Sequence, residues 1–481
     1  MIPGRAKDRR SEQNEGTTER GFRSRRRETY MKRWLIAMAT FALVTAACTA
    51  GGGGDAPSAV DTGSGVSHAP VELEMWGAWT GRELRQFNQI FDGFTEKYPW
   101  ITVNSTGGVD DPKIIASINA GNPPDAVLSF TLDSVGQFCE SGAWQDLNPY
   151  IEQSGFDVSQ FPPSVEAYTS FAGSRCAFPF LTDAQGLYYN TDLFDKAGIS
   201  DAPTTLTEFE ADAKKLTTFN ADGSIKVAGF VPWFGYYEFS TPNLGNLFGA
   251  RWYNDDGTAT VVDSDPAWKT MFEWQHDFIA NVFGGGDFQT GSDKLQRFVA
   301  GAGDEFSSAQ DFETGRVAMN FDGEWRTAFI ADEVPDLPYA TAPYPVPDDQ
   351  ADTYGRGPVG GTIIGIPKGS PHPDEAWLLV EYMATDTPTL VYMANNVRNV
   401  PTTIDSMSSP DLDVTPQFQT FLDIFQNPDS HYKEPSAIGA SDQNILQAFA
   451  DRWEAGKQTD LEGGLQDAAQ QINDQLAQAA I

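Results

Sequence analysis

The side chains able to do covalent chemistry are few and scattered in this 481-residue chain. The four histidines, His68, His276, His372 and His431, stand apart from one another, and no G-x-S-x-G turn, P-loop or H-E-x-x-H helix occurs. Triad and metal chemistry have no footing here, and neither a cofactor nor a metal is implied. Asn220-Ala-Asp-Gly223 has the start of a calcium loop, but the later oxygen ligands and the distal glutamate are missing, so a hairpin turn is the better reading. A glycoside hydrolase needs only two carboxylates, and 67 Asp and Glu leave that reading open.

The chain is richer in flat apolar surface, with 12% aromatic residues and 12 Trp. Such surfaces, joined to planar polar groups, recognise polyhydroxylated molecules, because each buried hydroxyl left unpaired is costly. Trp76 and Trp79 come just after the first strand pattern, and Ser129 and Asp133 just after the third. Trp325 follows a glycine at a strand end, where its face can cover the C–H face of a pyranose. Packing at a helix start is the plainer reading of the same residue.

Net charge is −35, and 11 of the 32 Lys and Arg lie before Cys48 against only five Asp and Glu, so the remainder is more acidic still. Nucleic acid and anionic lipid are poor partners for such a surface. A strongly anionic ligand is disfavoured too, unless a local basic pocket overrides the field.

Residues 1–30 are arginine-rich and cannot bury a core, which reads as a non-native or disordered extension. Met31 then opens MKRWLIAMATFALVTAAC, whose basic start and short apolar run read as a signal peptide over 31–47, with Met31 the true start. Thr45, Ala46 and Ala47 precede Cys48 as in a lipoprotein box, although Leu43 sits five before the cysteine rather than three. Lipidation of Cys48 would hold the protein on the outer face of a bacterial membrane without spanning it; plain secretion is the alternative. Residues 48–70, rich in Gly, Ser, Pro and Asp, read as a flexible tether. Cys139 and Cys176 are an even pair in an exported chain, which favours one disulfide over two free thiols.

From Val71 onward strands and helices alternate. Val71–Trp76, 101–105 and 125–130 read as strands. Thr80 and Glu83 have capping-box spacing before a helix that turns Leu84, Phe87, Ile90, Phe91 and Phe94 to one face and stops at Pro99. A second helix fits 112–120, closed by Gly121. Thr205 and Glu208 repeat the box ahead of Leu206, Phe209, Ala213 and Leu216. Asp265-Pro266 has N-cap and N1 order before a stripe of Ala267, Met271, Trp274 and Phe278. The alternation predicts an α/β sheet covered by helices on both faces.

Phe178–Asn190, FPFLTDAQGLYYN, reads as a strand that stops, passes an exposed joint at 181–184 and resumes, as a crossover between two lobes would. With the YYNTDLFDKAGI that overlaps its end, it resembles the extracellular solute-binding proteins of bacterial ABC sugar importers (family 1, maltose-binding-protein-like). Four further segments share the resemblance in the same order: the Asn119-Ala-Gly-Asn-Pro-Pro-Asp125 turn, Gly315 to Trp325, GGTIIGIPKGSPHPDEAW from Gly360, and VRNVP from Val397 to Pro401. Together they are spread along most of 71–400; the tail from Leu412 matches weakly.

The resemblance implies a two-lobe periplasmic-binding-protein type II fold, each lobe a central sheet flanked by helices, joined by a three-segment hinge. The lobes would be 71–182 with 361–398 and 183–360 with 399–481. It implies a monomer that captures a sugar or oligosaccharide without altering it, closes over it and delivers it to membrane permease subunits. Asp183 would bond sugar hydroxyls, Trp325 would stack, Trp233, Phe234 and Tyr236 would form a wall, and Asp322, Gly361 and Arg398 would complete the cleft. Asp125 reads as structural. The same fold binding a polyamine, glycerol phosphodiester or peptide is the alternative; aromatic richness favours a sugar, and only Lys368, Arg356 and Arg398 supply positive charge near the crossovers.

Overall fold

The computed structural model describes residues 68–479 apart from 163, 164, 166 and 167. The extension, signal peptide, lipidation site and most of the tether therefore lie outside the described residues. Among the described residues ten strands form in chain order: β1 (Val71–Trp76), β2 (Ile101–Thr106), β3 (Ala126–Ser129), β4 (Phe178–Asn190), β5 (Thr218–Phe219), β6 (Ile225–Val227), β7 (Met319–Gly323), β8 (Tyr339–Ala342), β9 (Val359–Gly365) and β10 (Val400–Pro401). The main sheet runs β10-β4-β9-β3-β1-β2, with β7 and β8 also paired to β4. β1 is parallel to β2 and β3, while β9, β10, β7 and β8 meet their partners antiparallel.

β4 links the two halves. Its first half pairs with β9 and β10, and from Gln185 on it pairs with β7 and β8. The exposed interruption expected at 181–184 does not occur: the strand is continuous, and Leu181, Thr182 and Ala184 are fully buried. Thr182 keeps its hydroxyl satisfied on the Gly360 carbonyl at 2.9 Å, so a polar residue passes through the interior without breaking the ladder.

Two separate apolar cores flank this strand. One gathers Leu73, Phe94, Val127, Phe178 and Ile364; the other gathers Leu187, Phe209, Phe272, Phe321 and Phe449. Helix Gly81–Lys97 enters the first through Phe87, Ile90, Phe91 and Phe94, and helix Leu206–Leu216 enters the second through its predicted stripe. Helix Pro416–Gln426 packs in the first core, and helices Ser441–Glu454 and Leu461–Ala479 in the second.

Local signals held unevenly. The Thr205–Glu208 capping box forms, and Asp265 caps the helix that Pro266 opens. Thr80 makes no side-chain cap, and the Glu83 side chain lines a cavity described below. Asn220 to Gly223 closes the β5–β6 hairpin, where Asp222 accepts from the Ser224 amide at 3.0 Å. Cys139 and Cys176 form a disulfide with Cα atoms 5.4 Å apart. No helix among the described residues is long and apolar enough to cross a membrane.

Candidate functional site

Three chain crossings lie side by side: Asp183 pairs with Gly360, Thr182 with Gly361, and Val400 with Thr182. Gly361 sits at φ +148°, and a Cβ there would come within 2.6 Å of the Leu181 carbonyl oxygen. Only glycine fits both constraints. The crossing therefore packs backbone against backbone, and the side chains beside it open onto one cavity of about 280 Å³.

Trp79, Phe130, Phe306 and Trp325 line it, with Asp183, Gly360 and Gly361 at the crossing. Trp79 follows β1 and is 5% exposed, held by Phe87 and Phe180. Its ring centroid lies 5.5 Å from that of Phe130, which follows β3 and is 44% exposed. Trp325 stands at the head of helix Arg326–Glu333, and Gly323 makes room for it, since a Cβ there would reach its ring at 2.1 Å.

The polar part of the lining has three carboxyls, Glu83, Asp183 and Glu238, beside Gln185, Asn243, Thr362 and Asn399. Burial pushes the Glu83 carboxyl up to about 7, against the pull of Arg82. Burial raises Asp183 to about 6, opposed by its hydrogen bonds with Glu324 and Asn399. Glu324, fully buried, is raised well above the carboxylate range by burial and by Asp183; it accepts from the Ala184 amide at 2.8 Å and the Asn399 amide at 3.0 Å. Glu238 is likewise raised by burial, then by Glu305. It accepts from Gln185 at 2.9 Å. Burial and neighbouring carboxyls both disfavour the charged form here.

Of the residues expected from sequence, the structure brings Trp79, Asp183, Trp325 and Gly361 together on this cavity. The others are placed elsewhere, each for a visible reason. Trp76 lies at the edge of the first core, with the Lys113 ammonium 5.5 Å from its ring. Ser129 is buried and accepts from the Thr131 amide at 3.0 Å. Asp133 is held 2.7 Å from Lys433 in a buried cluster with Asp442. Trp233, Phe234 and Tyr236 fold inward onto the second core: the Phe234 amide donates to Glu454 at 2.9 Å and the Tyr236 hydroxyl to Asp311 at 2.7 Å. Asp322 sits behind the wall, accepting from Arg326 at 2.8 Å. Arg398 ends a helix in the left-handed conformation and pairs with Asp413 at 2.7 Å. Asp125 is structural, accepting from the amides of Glu74 at 2.8 Å and His372 at 3.0 Å.

Sequence reasoning missed Glu83, Phe130, Glu238, Asn243, Phe306 and Asn399, all on the cavity. For Glu83 the capping-box spacing pointed the other way. Asn399 was within reach, since it lies inside the VRNVP segment.

Two cores joined by three crossing strands, with a lined cavity beside the crossing, define a two-lobed α/β binding protein. The chain belongs to the bacterial extracellular solute-binding protein family, whose profile matches residues 78–389. It is 27% identical over 186 residues to the sn-glycerol-3-phosphate-binding periplasmic protein UgpB of Rhizobium meliloti, a match covering 37% of this chain and 43% of that relative. With UgpB of Brucella abortus it shares 27% identity over 247 residues, 48% of this chain and 56% of that one. The chain thus spans about half the length of these relatives. Among solved structures, CpMnBP1 with mannotriose bound has a TM-score of 0.74 at 23% identity, over 85% of this chain and 100% of that chain. The sugar-binding protein MalE of Xanthomonas citri has a TM-score of 0.65 at 17% identity, over 85% and 98%. At these identities the likeness establishes the two-lobed fold.

Proposed function

We propose that this protein captures a sugar or oligosaccharide in the cavity at the crossing and delivers it, unaltered, to permease subunits of an ABC importer. The observation that carries the reading is that four aromatic side chains, Trp79, Phe130, Phe306 and Trp325, line one cavity together with hydrogen-bonding side chains. Flat faces cover the apolar sides of a pyranose while planar polar groups take its hydroxyls. Asp183, Trp79, Trp325 and Gly361 are the ligand-contacting residues we retain from the sequence.

The lobes we assign are 71–182 with 361–398 and 183–360 with 399–481; the two cores support this in outline, except that Val400 and helix Pro416–Gln426 pack in the first core. Ligand favours the closed arrangement because it gains contacts with both lobes there; lobe closure in such binding proteins is a standard example of hinge motion. A monomer held to the outer membrane face through a lipid on Cys48 completes the reading.

Glycerol phosphate is the competing ligand, from the names of the relatives. Among the described residues no Lys, Arg or His lines the cavity, so a phosphate dianion would face carboxyls with no counter-charge from the lining. A thermal-shift screen of mono- and oligosaccharides beside sn-glycerol 3-phosphate tests the proposal. A ligand at a hundred times its Kd stabilises by about 2.7 kcal/mol. We expect a saccharide to raise Tm and the phosphate to leave it unchanged; the reverse overturns the reading.

A further inference from the structure

The cavity offers its ligand acceptors and few donors. The amide of Asn399 is engaged by Asp183 and Glu324. The amide of Asn243 donates to Gln185 at 2.7 Å and to the Glu238 carbonyl at 3.1 Å, and Gln185 donates to Glu238 at 2.9 Å. The Thr362 hydroxyl serves the Leu181 backbone on both sides, accepting from its amide at 3.1 Å and donating to its carbonyl at 3.4 Å. Across the same space stand the carboxyls of Glu83, Asp183 and Glu238. The nearby cation Arg326 does not line the cavity. It is fully buried, held by Asp322 at 2.8 Å and Glu313 at 3.3 Å.

A neutral sugar hydroxyl both donates and accepts, whereas an ammonium group donates three times and accepts nothing. Aromatic faces interleaved with carboxylates are also the surroundings in which a desolvated cation is most stable. A second feature calls for a hydroxyl as well: the indole Nε1 of Trp325, on the cavity wall, is buried without a hydrogen-bond partner.

Resting on the saccharide reading above, we propose that the preferred ligand is a saccharide bearing a basic nitrogen, an amino sugar or an oligosaccharide containing one. The ammonium lies among Glu83, Asp183 and Glu238, and a ring oxygen or hydroxyl accepts from Trp325. Burial raises Glu83 against the pull of Arg82 and raises Glu238, and an ammonium placed among these carboxyls would supply charge that favours their ionised form.

Calorimetric titration of the full protein with gluco- and manno-configured di- to tetrasaccharides, and with their 2-amino-2-deoxy counterparts, tests this. We expect the amino compound of at least one pair to bind about tenfold tighter, the difference between a charge-assisted hydrogen bond and a neutral one. Glu238→Gln and Glu83→Gln should each reduce that preference, taken as the ratio of amino to neutral affinity within the same variant, to under about threefold. Two separate variants guard against one failing to fold. Neutral saccharides binding as well as the amino compounds, or better, overturns the proposal and leaves the saccharide reading intact. Binding of neither series overturns both. Variants that keep the full preference also overturn it.

Discussion

Trp79 and Trp325, one following β1 and the other heading a helix of the second half, line the same cavity. They are anchored differently. Trp79 is 5% exposed and packed on Phe87 and Phe180, so Trp79→Ala should lower stability by about 3–5 kcal/mol as well as weaken binding. Trp325→Ala should act mainly on affinity, weakening the best saccharide by roughly thirtyfold, ~2 kcal/mol. Urea unfolding beside titration separates the two effects, and full affinity in Trp325→Ala would remove it from the site.

At the crossing, adjacent glycines predict opposite outcomes. Gly361→Ala meets both the positive φ and the Leu181 oxygen at 2.6 Å, and should cost about 1–3 kcal/mol. In Gly360→Ala the new methyl has nothing nearer than 3.8 Å, and stability should hold within ~0.5 kcal/mol. Equal effects in denaturant unfolding would mean that the close approach of β4 and β9 is not what requires glycine.

The disulfide closes a loop with a sequence separation of 37. The chain-entropy relation gives roughly 3–4 kcal/mol for such a loop. Cys139→Ser with Cys176→Ser should lose that much, read as a lower urea midpoint. No change on reducing the native protein would place the effect elsewhere.

Glu83 links stability to pH. Its folded-state value is raised from 4.5 to about 7, so between those limits the folded protein holds a proton that the unfolded chain has released. The contribution is full below the unfolded value and is lost as pH rises through about 7. Between about pH 5 and about pH 8 the wild type should therefore lose more stability than Glu83→Gln, in which no proton is exchanged at this position. Parallel pH profiles would show that Glu83 ionises in the folded protein as freely as in the unfolded chain.

The fold was legible where periodicity and caps speak for single elements. The stripe of Phe87, Ile90, Phe91 and Phe94 and the Thr205–Glu208 box are patterns a local rule reads without knowing the neighbours. β4 defeated the local rule because Thr182 and Asp183 look like a surface joint, whereas the Gly360 carbonyl and Asn399, far away in sequence, satisfy them inside. The aromatic wall assigned to Trp233, Phe234 and Tyr236 failed for the same reason, since Glu454 and Asp311 draw that loop onto the second core. Phe130 and Phe306 went unnoticed because a phenylalanine is more often core, and nothing in their neighbours in sequence marks them as 44% and 53% exposed.

The central claim is that a saccharide binds among the aromatic side chains of the cavity at the strand crossing. A crystal structure with the saccharide that most raises Tm tests it most directly. The account predicts ligand density between Trp79 and Trp325, with a polar group of the ligand within hydrogen-bond distance of Asp183. Density at any other place on the protein, with this cavity holding only solvent, would contradict it.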